Sequence, residues 1–149
     1  MIKVAICDDD IQFIYKLEQS IFRFAEMKRI KVDVDGYTSG AEFIQKLQQS
    51  ERYDLLFLDI ELGDSSGIIV GNWIRSQIQY ESMQIVFVSA KEMYAMQLFD
   101  LRPMNFLVKP IQQERVDYIL DEYERLYQFQ PHIIEIGKGR NSIRIEEHL

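Results

Sequence analysis

Cysteine is almost missing from this chain: Cys7 stands alone among 149 residues. No internal disulfide can form, and the usage fits a reducing compartment such as the cytoplasm. Long apolar runs are also missing. No stretch of 18 or more apolar residues exists, so no transmembrane helix is expected. The apolar stretch Ile2 to Cys7 is too short for a signal peptide. Basic residues are outnumbered, 17 Lys and Arg against 24 Asp and Glu, for a net charge of −7. A chain this acidic does not bind nucleic acid with its bulk surface, because phosphate backbones need Lys and Arg. Histidine is limited to His132 and His148 near the C-terminus.

What is present is ordinary for a globular protein, 47% hydrophobic and 28% charged. The length suits one domain, which buries roughly 68–70% of its unfolded surface and needs no structural metal. Short apolar strands alternate with amphipathic helices. "KVAIC" (3–7) is an apolar run, and Ile11, Ile14, Leu17, Ile21 and Phe24 follow at helical spacing. "KVDVDGY" (31–37) alternates with period two, as an edge strand would. Ser39 and Glu42 form a capping box for a helix with Ala41, Ile44 and Leu47 on its buried face. A third strand, Leu55–Leu58, ends at Asp59. A helix is expected from about Ile68 through Trp73, Ile74 and Ile78. "QIVFV" (84–88), a short helix with Met93, Met96 and Phe99, and "MNFLV" (104–108) come next; the face of that helix bearing Met93, Tyr94 and Met96 is expected to be partly exposed, a surface suited to protein partners. A long last helix carries Val116, Ile119, Leu120, Tyr123 and Leu126. Five β-α units of this kind predict an α/β, flavodoxin-like, doubly wound parallel sheet of order 2-1-3-4-5. After Pro131, two short alternating stretches flank "GKGRN", the pattern of a short C-terminal β-hairpin tail.

In such sheets, ligands bind beyond the carboxyl ends of the strands. Here those ends are polar: Asp8 and Asp9 after strand 1, Asp59 after strand 3, Ser89 after strand 4 and Lys109 after strand 5. Three converging carboxylates repel one another and lose hydration, and a hard cation such as Mg²⁺ relieves both costs. Lys109 adds a compact positive charge and Ser89 a hydroxyl donor. The set suits a phosphoryl group on Asp59. Each residue also has a plainer role. Asp9 or Asp10 can cap a helix, Ser89 can do the same, and Lys109 can be a solvated strand-end residue. What favours the functional reading is the coincidence of all five.

The blocks "ICDDD", "LLFLDIE", "VFVSA" and "FLVKP" resemble, in order and spacing, the receiver domain of two-component response regulators, a CheY-like fold. The resemblance covers about residues 1–127. It implies that Asp59 is the phosphoacceptor, charged by a sensor histidine kinase. Asp8, Asp9, Asp59 and the backbone carbonyl of Glu61 would hold Mg²⁺, with Mn²⁺ as a substitute. Ser89 and Lys109 would contact the phosphoryl oxygens, and the bond to Pro110 would be cis. Ser89 and Phe106 would form the switch, Phe106 keeping the family's aromatic ring without the hydroxyl of the frequent Tyr. Glu61 and Lys91 would tune the lifetime of the phosphoryl group. "GDSSG" lacks the proline often found in this loop but keeps Gly67.

"YAMQLFDLRPMNFLVKPI" resembles the LytTR-type (LytR/AlgR) subgroup, and "HIIEIGKGRNSIRIEE" resembles the first strands of its DNA-binding domain. A receiver over 1–128 is therefore expected, followed over 129–149 by a linker and the start of a truncated LytTR-type domain. The expected function is phosphorylation-controlled transcription, with DNA contacted only through residues beyond this chain, and no membrane contact. A homodimer is expected through the fourth helix, fifth strand and fifth helix. Two alternatives concern output: a stand-alone receiver acting by protein contact, and a pseudo-receiver that takes no phosphate. A third is a haloacid-dehalogenase-like phosphatase, which would place its nucleophile after the first strand rather than the third. The chain is otherwise read as a phosphoacceptor, not a multiple-turnover enzyme. Cys7 reads as a small core residue, and neither histidine lies near the expected pocket.

Overall fold

Side chains along the strands alternate between two apolar layers, and that alternation builds the molecule. A computed structural model describes residues 1–128. Strands β1 (Ile2–Cys7), β2 (Val32–Tyr37), β3 (Leu55–Asp59), β4 (Gln84–Ser89) and β5 (Asn105–Val108) form one parallel sheet in the order β2-β1-β3-β4-β5. β3 is buried along its whole length, whereas β2 mixes exposed and half-buried residues, as its edge position requires. The hairpin expected within 129–149, with His132 and His148, lies outside the described residues.

On one face, Val4, Ile6, Leu55, Phe57 and Val86 meet helices α1 (Ile11–Lys28) and α4 (Gln113–Tyr123). On the other, Ala5, Cys7, Leu56, Leu58 and Phe87 meet α2 (Gly40–Gln48) and α3 (Gly67–Arg75). Helix starts are set by local chemistry. Asp10 caps α1 by accepting from the Gln12 and Phe13 amides, and Ser39 caps α2 by accepting from the Glu42 amide.

Several expectations need correction. α1 buries Ile14, Leu17, Ile21 and Phe24, but Ile11 is exposed in its first turn. α2 buries Phe43 and Leu47, with Ile44 half-buried and Ala41 exposed. α3 stops at Arg75, and Ile78 begins a separate 3₁₀ turn, Ile78–Tyr80, where it is exposed. α4 gives way to a π-helical turn, Glu124–Gln128, in which Leu126 is exposed.

The fourth helix has its expected exposed face but a different period. Glu92–Leu101 is a 3₁₀ helix of 10 residues, far longer than such runs usually are. With three residues per turn, Met93, Met96 and Phe99 stack into one straight ridge, and all three are exposed. Leu98 and Leu101, also three apart, anchor the opposite side. Arg75 pins the far end, donating to the carbonyls of Leu101 and Met83, each at 2.8 Å.

The contrast is measurable by urea denaturation. Phe57→Ala, in the middle of the sheet, should cost about 3–5 kcal/mol. Phe99→Ala should stay within about 0.5 kcal/mol of the parent. A large loss at Phe99 would contradict the exposed ridge.

Candidate functional site

Parallel pairing of β1 with β3, Cys7 opposite Leu58, brings the residues that end these strands side by side. Asp8 follows β1 and fixes its own position by donating its amide to the Tyr37 carbonyl at 3.0 Å. Asp59 closes β3. One carboxylate oxygen from each of Asp8, Asp9 and Asp59 lies within 4.8 Å of the other two. Asp8 and Asp59 are buried, 1% and 4% exposed, while Asp9 faces solvent.

Lys109 enters this cluster from the end of β5. Its Nζ lies 2.8 Å from Asp8 Oδ2 and 3.7 Å from Asp59 Oδ2. It also sits 4.3 Å from the centre of the Phe13 ring, a cation–π contact that holds the side chain over the site. The Lys109 amide donates to the Ser89 carbonyl at 2.9 Å, and the Lys109–Pro110 bond is cis. Ser89 ends β4, is fully buried, and accepts from the Lys91 amide at 2.9 Å; it does not cap the next helix, whose N-cap residue is Lys91.

The charges do not balance. Burial pushes the Asp59 carboxyl up to about 6, and Asp8 adds to the rise; Lys109 and the Glu61 amide, 3.2 Å from Oδ1, pull only partly the other way. Burial lowers the Lys109 ammonium, but Asp8 and Asp59 outweigh this and hold it raised. Asp8 Oδ1 accepts from the Asp10 amide at 2.8 Å. Asp8 Oδ2 is close to the Lys109 charge yet has no aligned hydrogen-bond donor among the described residues. A buried carboxylate oxygen without an aligned donor, beside two further acids, fits a hard divalent cation. Cys7, next in the chain, is no competitor: burial, with the nearby acids, pushes its thiol up to about 12.

The loop after Asp59 is tightly folded. The Gly67 amide donates to the Ile60 carbonyl at 2.7 Å, and Glu61 bridges Ser66. Any β-carbon at Gly67 would overlap the Asp59 carbonyl oxygen and crowd the Ile60 backbone, so only glycine fits. Ser66 then caps α3 through the Ile68 amide.

The family model for the response regulator receiver domain matches residues 4–121. The chain belongs to the response regulator receiver domain family. The sensory transduction protein LytT of Bacillus cereus is 30% identical over 149 residues, covering 99% of this chain and 57% of that protein. The sensory transduction protein LytR of Streptococcus agalactiae is 30% identical over 126 residues, covering 85% of this chain and 49% of that one. The chain thus spans about half the length of the curated relatives it matches. Among solved structures, the response regulator TrrA of Thermotoga maritima, in complex with Mg²⁺ and beryllofluoride, superposes with a TM-score of 0.67 at 23% identity, covering 82% of this chain and 98% of that one.

Receiver domains are phosphorylation-activated signalling modules that take phosphoryl groups from sensor histidine kinases and bind Mg²⁺ at an acidic pocket. In this receiver, Phe106 lies on β5 beside Phe87 of β4 and is half-buried against the α2–α3 layer. Lys91 Nζ and Glu61 Oε2 pair at 3.1 Å. Sequence reasoning missed a third member of that group: the Tyr94 hydroxyl donates to Glu61 Oε2 at 3.4 Å. It also missed Asp64, which accepts from two α2 amides. Neither partner is near in sequence, so no local signal marks these contacts. Among the described residues, no helix is long and apolar enough to cross a membrane.

Asp59 holds its proton more tightly folded than unfolded, so its charge penalises the metal-free fold fully above about pH 6. The penalty fades as pH falls toward the unfolded value near 4 and is gone below it, where the carboxyl is protonated in both states. Asp59→Asn should therefore stabilise the metal-free protein by about 1–3 kcal/mol at neutral pH, with the gain shrinking toward about pH 4. Chemical denaturation in a chelator across this range reads the difference. A variant less stable at neutral pH would contradict the electrostatics.

Proposed function

We propose that Asp59 is the phosphoacceptor of this receiver, and that phosphorylation controls a LytTR-type transcriptional output joined through residues 129–149. The observation that carries the reading is the Asp8–Asp9–Asp59 cluster with the Lys109 ammonium between two of its members. In the transfer, an Asp59 carboxylate oxygen forms a bond to phosphorus as the bond from phosphorus to the kinase histidine nitrogen breaks. Asp8, Asp9, Asp59 and the Glu61 carbonyl would hold Mg²⁺, with Mn²⁺ as a substitute. The bound cation would neutralise charge on the transferring group. Lys109 orients a phosphoryl oxygen, and the Ser89 hydroxyl, which accepts from the Lys91 amide, donates its O–H to another. Phe106 follows Ser89 as the second half of the switch. The Glu61–Lys91 pair, with Tyr94, screens the pocket mouth from attacking water and lengthens the phosphoryl lifetime.

The output reading rests on relatives of about twice this length that are named LytT and LytR. The exposed ridge Met93–Met96–Phe99, with Val108 of β5 and Tyr118 of α4, supports a homodimer through this face. The set supports phosphoacceptor chemistry at the carboxyl ends of the strands rather than multiple turnover of phosphomonoesters.

Incubation with acetyl phosphate and Mg²⁺ should label the protein once, and Asp59→Asn should abolish the label. The Glu61→Ala, Lys91→Ala double variant should lose its label faster, and labelled wild type should sediment as a dimer. Equal labelling of the Asn variant would refute the phosphoacceptor; an unchanged decay rate would refute the screen; a monomer would refute the dimer face.

A further inference from the structure

Asp64 is an acid near the metal cluster, yet its carboxylate is already engaged. Oδ1 accepts from the Gly40 amide and Oδ2 from the Ala41 amide, each at 3.2 Å. These are the first two residues of α2, whose own cap, Ser39, serves the Glu42 amide instead. The labour is divided: Ser39 satisfies one free amide of the first turn, and Asp64, far along the sequence, satisfies two more. The carboxyl is held below its usual range, chiefly by the Gly40 amide and then the Ala41 amide.

The neighbours of Asp64 give this contact a purpose. Gly63 faces Asp9: a β-carbon there would lie 3.1 Å from Asp9 Oδ2. Leu62 is buried, and its Cδ1 would lie 3.3 Å from a β-carbon at Gly40, so the loop and α2 are packed as well as hydrogen-bonded. The loop wall at Gly63 thus stands against the one exposed acid of the cluster. Glu61, the carbonyl assigned to the metal, lies in the same short loop.

We infer that Asp64 is a positioning residue for the cation site: clamped to the N-terminus of α2, it holds the 60–66 loop at the spacing from Asp9 that a hydrated divalent cation needs. The inference rests on the metal reading above. It makes α2, a helix that contributes no ligand, part of the support of the site. Fixing such supports commonly matters to affinity as much as a ligand contact does.

Calorimetric titration with MgCl₂ on the full chain tests this, in about 0.5 M salt to screen exposed charge. Asp64→Ala should weaken Mg²⁺ binding by roughly tenfold. Asp64→Asn, which keeps one acceptor oxygen but turns an NH₂ group toward the second amide, should recover only part of that loss. Hydrogen exchange at the Gly40 and Ala41 amides should quicken in the Ala variant. If wild type and Asp64→Ala bind Mg²⁺ alike while circular dichroism shows both folded, the positioning role is wrong. If the Asn and Ala variants are weakened equally, the effect is not the hydrogen-bonded clamp. A wild type that binds no Mg²⁺ overturns the metal reading itself, and this inference with it.

Discussion

Three carboxylates crowded at the carboxyl ends of two central strands, two of them buried, are the constraint on which the rest of this structure turns. The topology forces it. With β1 beside β3, the acids that end these strands cannot avoid each other. A single lysine from the end of β5 offsets part of the charge, and burial, with Asp8 beside it, still pushes the Asp59 carboxyl up to about 6. Such a site is poised to take up positive charge, and a cation supplies it.

The surroundings divide into a rigid base and a softer rim. Beneath the acids lie buried β3 residues packed between two helical layers. Gly67 lets α3 press against the backbone of Asp59, and the Phe13 ring steadies Lys109. The rim is different. Ser89 leads, through the Lys91 amide, into ten residues of 3₁₀ helix with an exposed apolar ridge. Hydrogen-bond geometry is poorer in a 3₁₀ helix than in an α-helix, so this segment is the element best suited to rearrange when the site changes charge. The rigid base fixes where phosphate would sit, and the rim is where a change would be felt.

Much of this was legible in the sequence. Buried runs at β1, β3 and β4 and the alternating β2 determine a five-stranded parallel sheet, because apolar strands need cover on both faces. The strand-end residues Asp8, Asp9, Asp59 and Lys109 could be placed together from topology alone. What stayed hidden depends on tertiary context. The 3₁₀ period of the segment bearing Met93, Met96 and Phe99 is one such feature, because apolar residues three apart fit an α-helix equally well. Ile11, Ala41 and Ile78 fit helical spacing but fall at or beyond helix ends, where a side chain can escape the core. The Asp64 clamp pairs a loop with a helix 24 residues earlier, and nothing in "GDSSG" names its partner.

The most direct test is thermal unfolding of wild type and Asp59→Asn, each with chelator and with saturating MgCl₂. Cation binding to the folded state alone should raise the wild-type midpoint by several degrees at ~10 times the dissociation constant, and by much less in the variant. A wild-type midpoint indifferent to Mg²⁺ would contradict the claim that the acidic edge is built for a cation.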